Sequence, residues 1–155
     1  MKNVEVIGKD AFCVIGKAGS TNDGPGFVQR LWQDANSHFS EVAHLAKRDK
    51  DGNLSGIWGI MTDFSFDFLP WEDNFSKGRY LAGVEVNADA QPPQGWEKWN
   101  VPGFTFWKVK GDGPDIFRQT IDYMREKKQP LAGAVQDYTD PATGENFMLF
   151  PVAKN

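Results

Sequence analysis

The chain has 155 residues, a length that suits one domain with a core large enough to fold without staples. Its single cysteine, Cys13, excludes an internal disulfide framework, and no apolar run approaches the roughly 18 residues of a membrane span. The net charge is −4, with Lys and Arg scattered, which argues against direct binding to nucleic acid. With no charged-then-apolar leader, the sequence predicts a cytoplasmic protein.

The first half of the chain has the pattern β-α-β-β. The segment AFCVIGKAGS (11–20) is typical of a strand that ends in a glycine turn, and Pro25 suits the first turn of a helix after it. Two further strands are predicted at IWGIMTDFSF (57–66) and RYLAGVEV (79–86). Between them and the first strand, apolar residues recur at the spacing of one helix face: Phe27, Leu31, Ala35, Phe39, Val42 and Leu45.

The second half repeats this order after a Pro- and Trp-rich linker at residues 88–100. Strands are predicted at GFTFWKVKGD (103–112), LAGAVQDYTD (131–140) and ENFMLFPV (145–152). A shorter helical stripe lies between the first two of these strands: Ile116, Phe117, Thr120, Ile121 and Met124. The sequence therefore predicts a single domain over 1–155, built from half-modules at 1–87 and 101–155.

The two halves also match in detail. Phe12 aligns with Phe104, and in the strand after the helix Asp63 aligns with Asp137. This repeat predicts an α+β fold in which tandem pseudo-symmetric βαββ modules form an antiparallel sheet. Helices cover one face, and a ligand cleft lies on the other. The alternative is that the duplication only completed a sheet.

Aromatic residues are abundant, with 12 Phe, 6 Trp and 3 Tyr. Two helices can cover only one face of the sheet, yet several strands are apolar on both sides, including the one that holds Phe104. An aromatic face without a partner typically marks a ligand cleft or a protein interface. The tryptophans in or beside the segments that would rim such a cleft are Trp58, Trp71, Trp96 and Trp99.

Two polar residues in this setting are candidates for chemistry. Glu85 lies between valines on a strand, so it is either a solvated edge acid or a carboxylate held in the cleft. The second reading suits flat hydrophobic molecules, including cationic ones. Tyr138 adds a hydroxyl that can donate a proton or orient water. Asp137, just before it, is interpreted mainly as a turn-forming acid. The sequence predicts no metal, no cofactor and no particular oligomeric state.

Several of these segments resemble the GyrI-like small-molecule-binding family: AFCVIGK, GIWG, YLAGVEV and, above all, GWEKWNVPGFTFWKVKGDG. The resemblance covers essentially the whole chain and implies paired βαββ modules with a ligand cleft between them. Members bind bulky aromatic or cationic compounds, often by stacking plus an acidic residue. This chain has Phe147 where many members have Glu, which favours neutral planar ligands; Glu145 and Glu85 are candidate substitutes.

The chain further resembles a subfamily of free-standing GyrI-like hydrolases that open the cyclopropane of DNA-alkylating compounds. That resemblance implies that Trp58, Trp107, Tyr138 and Phe147 grip a planar drug. Glu85 would then orient or deprotonate water, and Tyr138 would hydrogen-bond the oxygen on which charge develops. Three alternatives stay open: drug sequestration without chemistry, effector sensing with a separate regulator, and a protein-interaction module that docks on a gyrase-like enzyme.

Overall fold

A computed structural model of the chain, which describes residues 3–155, has an α+β fold with one eight-stranded antiparallel sheet. The strands are β1 (Val4–Lys9), β2 (Phe12–Ser20), β3 (Ile57–Thr62), β4 (Arg79–Val86), β5 (Glu97–Val101), β6 (Phe104–Lys110), β7 (Gln136–Thr139) and β8 (Asn146–Lys154). The helices are α1 (Phe27–Ser37) and α3 (Pro114–Glu126), and between them α2 (Glu72–Phe75) is a single turn whose last three residues have left-handed backbone angles. None of the helices within 3–155 is both long and apolar enough to cross a membrane.

The strand order is β1-β6-β8-β7-β3-β4-β2-β5, which is symmetric about the junction of β7 and β3. The predicted fold class is confirmed, and each edge of the sheet carries one strand that was not predicted. β1 lies at the start of the first half-module but pairs with β6 of the second half. β5 lies almost entirely in the predicted linker, just before β6, but pairs with β2 of the first half. Each half therefore gives its outermost strand to the other half.

Both long helices lie on one face of the sheet. α1 packs over β2 and β4 against Ile15 and Tyr80, and α3 packs near Val109 and Met148 of β6 and β8. The central pair, β3 and β7, lies between these two packed regions. A groove therefore runs along the middle of this face, between the helices.

The opposite face has no helix, yet its side chains are buried. They form a second core whose members are Phe12, Val14, Trp58, Ile60, Leu81, Trp99, Val101, Phe104, Phe106 and Leu149. Two loops pack over it, and the amide of Ala134 donates to the carbonyl of Phe68 over 2.8 Å where they meet. A Cβ on Gly133 would lie 2.6 Å from the ring of Phe104, so this loop approaches the core more closely than any other residue allows.

Three predicted elements differ in extent. The strand predicted at 57–66 ends at Thr62. The helical pattern that reaches Leu45 breaks at Ser37, after which only short 3-10 turns follow, because Asn36, Ser37 and His38 are poor helix formers. The predicted strand at 131–140 pairs only from Gln136, since the preceding residues cover the helix-free core instead. Asp137 thus lies inside a strand, whereas its sequence match Asp63 lies after one.

Candidate functional site: the cavity between the helices

A cavity of about 500 Å³ occupies the groove between α1 and α3. Its floor is the helix-bearing face of the four central strands, which contribute Met61, Tyr80, Asp137 and Met148. Most of its wall is apolar or aromatic and comes from both helices, from the connection between β3 and β4 and from the residue before β7: Val28, Pro70, Trp71, Phe75, Pro114, Phe117 and Val135. A concave, mainly apolar space with few polar groups is the usual form of a small-molecule site.

The polar part of the floor is a chain of three side chains. Nε1 of Trp32 donates to the hydroxyl of Tyr80 over 3.1 Å, and that hydroxyl donates to Oδ2 of Asp137 over 2.8 Å. Among residues 3–155, no group donates to the other carboxylate oxygen, Oδ1. Every fully buried side-chain oxygen of these residues has a hydrogen-bond partner. Oδ1 has none, so it is not fully buried, and Asp137 lines the cavity.

Gly59 makes the contact between Tyr80 and Asp137 possible. It lies opposite Asp137 in the β3–β7 pairing, and the phenol of Tyr80 passes directly over it. A Cβ at this position would lie 1.8 Å from the Tyr80 hydroxyl oxygen. A glycine inside a strand often marks such a close approach.

Burial dominates the electrostatics of the site. It raises the pKa of Asp137 to about 6; the hydrogen bond from Tyr80 opposes this shift, and the negative charge of Asp112 adds to it. Burial, together with the neighbouring Asp137, also raises the pKa of Tyr80 well above its usual value. Arg118 borders the cavity, but its guanidinium is paired with Asp115 at 2.7 Å. A guest in the cavity therefore meets one carboxylate that is mostly ionised at neutral pH.

A second cavity, of about 550 Å³, lies at the other end of β4, beside Glu85. Glu85 is buried and accepts a hydrogen bond from Nε1 of Trp58 over 3.0 Å. Nζ of Lys9 lies 3.2 Å from its Oε1, and Nζ of Lys47 lies 3.8 Å from its Oε2. Both oxygens of this carboxylate are thus occupied within the protein, in contrast to those of Asp137.

Tyr138 lies next to Trp58 on the helix-free face. Their ring centroids are 4.7 Å apart, and the ring of Phe147 lies 6.2 Å beyond Tyr138. Nζ of Lys108 is 4.2 Å from the centroid of Phe147. Burial raises the pKa of Tyr138, with smaller contributions from Asp140 and Glu85. The structure therefore groups four of the predicted residues, Glu85 included, but it places them on the face away from the cavity between the helices.

The other predicted residues are dispersed. Phe104 and Trp99 belong to the helix-free core, and Trp71 is a wall of the cavity between the helices. On the helix-bearing face, Trp96 donates to Glu41 over 2.9 Å, and the ring of Trp107 lies 5.8 Å from that of Tyr123 on α3. Glu145 is half-buried and pairs with Lys110 at 2.8 Å. The binding and catalytic roles assigned to all these residues stay predictions.

Sequence reasoning did not select Tyr80 or Asp137 as site residues. Asp137 was interpreted as a turn-forming acid because it precedes an aromatic residue at the end of a predicted strand, whereas in the structure it lies inside β7. Gly59 was the available signal: a glycine in the middle of an apolar strand indicates that another group passes close to the backbone. The sequence does not identify that group, because the contact joins two halves of the chain.

No protein-family model matches the chain, and no curated protein matches it. Solved structures do share its fold. An integron cassette protein from the mobile metagenome of Vibrio cholerae is 15% identical, with a TM-score of 0.58 over 99% of this chain and 97% of that one. SAV2435 bound to tetraphenylphosphonium is 15% identical, with a TM-score of 0.61 over 99% of this chain and 94% of that one.

EcmrR in its complex with DNA is 14% identical to this chain, with a TM-score of 0.64. The match covers 99% of this chain and 58% of that one. At these identities the likeness establishes the fold alone. Because the EcmrR structure contains DNA, the absence of direct nucleic-acid binding stays a prediction for this chain.

Proposed function

We propose that this protein is a GyrI-like small-molecule-binding protein that takes bulky aromatic compounds, preferably cations, into the cavity between α1 and α3. The observation that carries this proposal is the carboxylate of Asp137, with Oδ1 open to a space of about 500 Å³ that is otherwise mainly apolar. Aromatic walls at Trp71 and Phe117 offer stacking surfaces, and a buried carboxylate attracts a delocalised cation more strongly than an exposed one does. The complex of SAV2435 with tetraphenylphosphonium supports the choice of ligand class.

This proposal revises the sequence-based preference for neutral ligands. That preference rested on Phe147, which replaces the acid found in many members of the family. Phe147 lies on the helix-free face, whereas Asp137, on the neighbouring strand, presents a carboxylate to the other face. An acid is thus available to a cationic guest although position 147 is aromatic.

Titration with tetraphenylphosphonium tests the proposal. Trp71 lines the cavity, so its fluorescence should be quenched on binding, and isothermal titration calorimetry should give one site per chain. Asp137→Asn keeps an oxygen that can accept from Tyr80 but removes the charge, and it should weaken binding at least tenfold. Glu5→Gln, which removes an exposed carboxylate on β1 outside the cavity lining, is the matched control. Equal affinity in both variants would exclude Asp137 as the anchor.

Hydrolysis of a strained ring is the second candidate function, and the Tyr80–Asp137 pair is the observation that favours it. A carboxyl with a pKa of about 6 can hold or release a proton near neutral pH, as a general acid or base must. Water would add across one carbon–carbon bond of a cyclopropane: its hydroxyl bonds to one carbon, and its proton goes to the part of the same molecule that keeps the electron pair of the broken bond. Incubation with a cyclopropane-containing alkylator, followed by mass spectrometry, should reveal a product heavier by one water. If the compound is recovered unchanged, hydrolysis is excluded for that compound, and the protein is a binder without turnover.

A further inference from the structure

A third cavity, of about 390 Å³, adjoins the cavity between the helices. Its apolar lining comes from Ile121 and Met124 on α3 and from Leu131 in the following loop, with Arg125 and Gln129 beside them. We call it the far compartment and the cavity above Asp137 the near compartment. The two compartments share three lining residues: Pro70, Trp71 and Phe75. These residues therefore form the partition between the compartments.

Trp71 is the fixed part of this partition. Its Nε1 donates to the carbonyl oxygen of Arg79 over 2.9 Å, and its indole covers Gly78 so closely that a Cβ there would lie 2.0 Å away. Its ring also stacks on Phe27 of α1, with centroids 6.2 Å apart. A hydrogen bond and packing on two sides hold this side chain in place.

Phe75 is the strained part. It follows Asp73 and Asn74, and all three have left-handed backbone angles, with φ of 53°, 57° and 64°. A run of left-handed residues is unfavourable for L-amino acids because Cβ crowds the carbonyl, and it is rare for a bulky side chain. The ring of Phe75 lies against that of Phe117 on α3, with centroids 5.0 Å apart. Strain of this kind persists where the surroundings impose it, and it concentrates at clamps and switches.

We propose that the far compartment is a second subsite of the same ligand site, closed by Phe75, and that it receives the apolar tail of an elongated amphipathic ligand. This inference depends on the proposed function, because the aromatic or cationic head would lie above Asp137. A backbone change that takes Phe75 out of its left-handed conformation relieves strain. The same change moves the Phe75 ring aside and joins the two compartments. A flexible alkyl tail fits the apolar surface of Ile121, Met124 and Leu131 and needs no buried polar partner.

An alkyltriphenylphosphonium series tests this proposal, with methyl, butyl and decyl tails on the same head. Calorimetry below the aggregation limit of each compound should show affinity rising with tail length, by up to about fourfold per buried methylene. Phe75→Ala should tighten decyl binding more than methyl binding, since it removes the partition. Leu131→Trp should remove the gain from the longer tails and leave methyl binding unchanged.

One control variant and one alternative plugging variant complete the test. Phe66→Ala removes an exposed aromatic of the same connection that lines neither compartment, and it should behave as wild type. Arg125→Trp blocks the far compartment from an exposed position on α3, which serves if Leu131→Trp does not fold.

The possible results distinguish failure of the subsite from failure of the proposed function. If the methyl compound binds and tail length has no effect, the far compartment is not a subsite, although the proposed function stands. If longer tails bind more tightly but both plugging variants keep that gain, the tail lies elsewhere and the inference is wrong. If no compound of the series binds, the proposed function fails and the subsite fails with it.

Discussion

The hydroxyl of Tyr80 lies 2.8 Å from Oδ2 of Asp137, and the two residues come from opposite halves of the chain. The bond crosses β3 above Gly59, at the symmetric centre of the sheet. It therefore links the floor of the cavity to the packing of one half on the other. Variants that alter this contact should change ligand binding and stability together.

Replacement of Asp137 by Asn should stabilise the protein at pH 8. Burial raises the pKa of Asp137 from 3.8 to about 6, so the folded state holds the proton more tightly than the unfolded state does. The contribution of this group to stability is thus greatest below about pH 4 and is lost as the pH rises through 6. Asn carries no charge, and the gain should be about 1 to 2 kcal/mol in urea unfolding at pH 8. The difference should shrink at pH 5; a difference independent of pH would contradict this account.

Affinity for a cation should rise with pH, whereas the contribution of Asp137 to stability falls. The cation needs an ionised Asp137, so affinity for tetraphenylphosphonium should be constant above about pH 7 and fall as the pH drops below 6. Well below the midpoint the decrease approaches tenfold per pH unit. The other charged or titratable groups around this carboxylate are Tyr80, Asp112 and the paired Arg118. Calorimetry from pH 5 to 8 measures the profile, and Asp137→Asn should flatten it.

Tyr80→Phe should shift that profile to higher pH. The hydrogen bond from Tyr80 lowers the pKa of Asp137, so its loss leaves burial less opposed. The substitution also leaves Nε1 of Trp32 without its acceptor. A buried donor without a partner costs about 1 to 3 kcal/mol, which thermal or urea unfolding would detect. A lower Tm with an unmoved binding midpoint would mean that Tyr80 is structural and does not tune the carboxylate.

Gly59→Ala should disrupt the floor of the cavity. The added methyl would collide with the Tyr80 hydroxyl, so the phenol must leave Asp137 or the strands must separate. We expect a loss of about 2 to 4 kcal/mol and of tetraphenylphosphonium binding, together with a changed near-UV circular dichroism spectrum. Gly8→Ala is the matched control, because a Cβ on that strand glycine meets no atom within 4 Å. Similar behaviour of the two variants would argue against the close approach.

Glu85→Gln tests the role of Glu85 separately from that of Asp137. Glu85 is buried between Trp58 and Lys9, so loss of its charge should lower stability by about 1 to 3 kcal/mol. Its distance from the lining of the cavity between the helices predicts unchanged affinity for tetraphenylphosphonium. Weakened binding, with the fold intact by circular dichroism, would instead favour the role that the sequence suggested for Glu85.

Strand patterns predicted most of the fold because they are local. The segments of β2, β4, β6 and β8 each carry enough apolar residues to be recognised alone. β1 and β5 were missed for a physical reason: they are short edge strands in which polar and apolar residues alternate, and their partners lie in the other half of the chain. Edge strands depend on one neighbour, so their own sequence carries a weaker signal.

The site was harder to predict because its contacts are not local. The burial of Glu85 agrees with its apolar surroundings, but its partner Lys9 is 76 residues away in sequence. Tyr80 and Asp137 are 57 residues apart, and their contact requires the exact strand order and register. A shift of one residue in β7 would turn Asp137 toward the helix-free core and Tyr138 toward the cavity.

The exchange of outer strands has a consequence for how the molecule can be divided. A fragment that ends before β5 keeps β1 but loses the strand that borders β2, while the remaining fragment keeps β5 but lacks the strand that borders β6. Each piece would display an unpaired edge whose natural complement is carried by the other. Cleavage near residue 92 should therefore yield two fragments that reassociate when mixed. A split-reporter assay can use this, because β1 and β5 each pair with a strand of the other fragment.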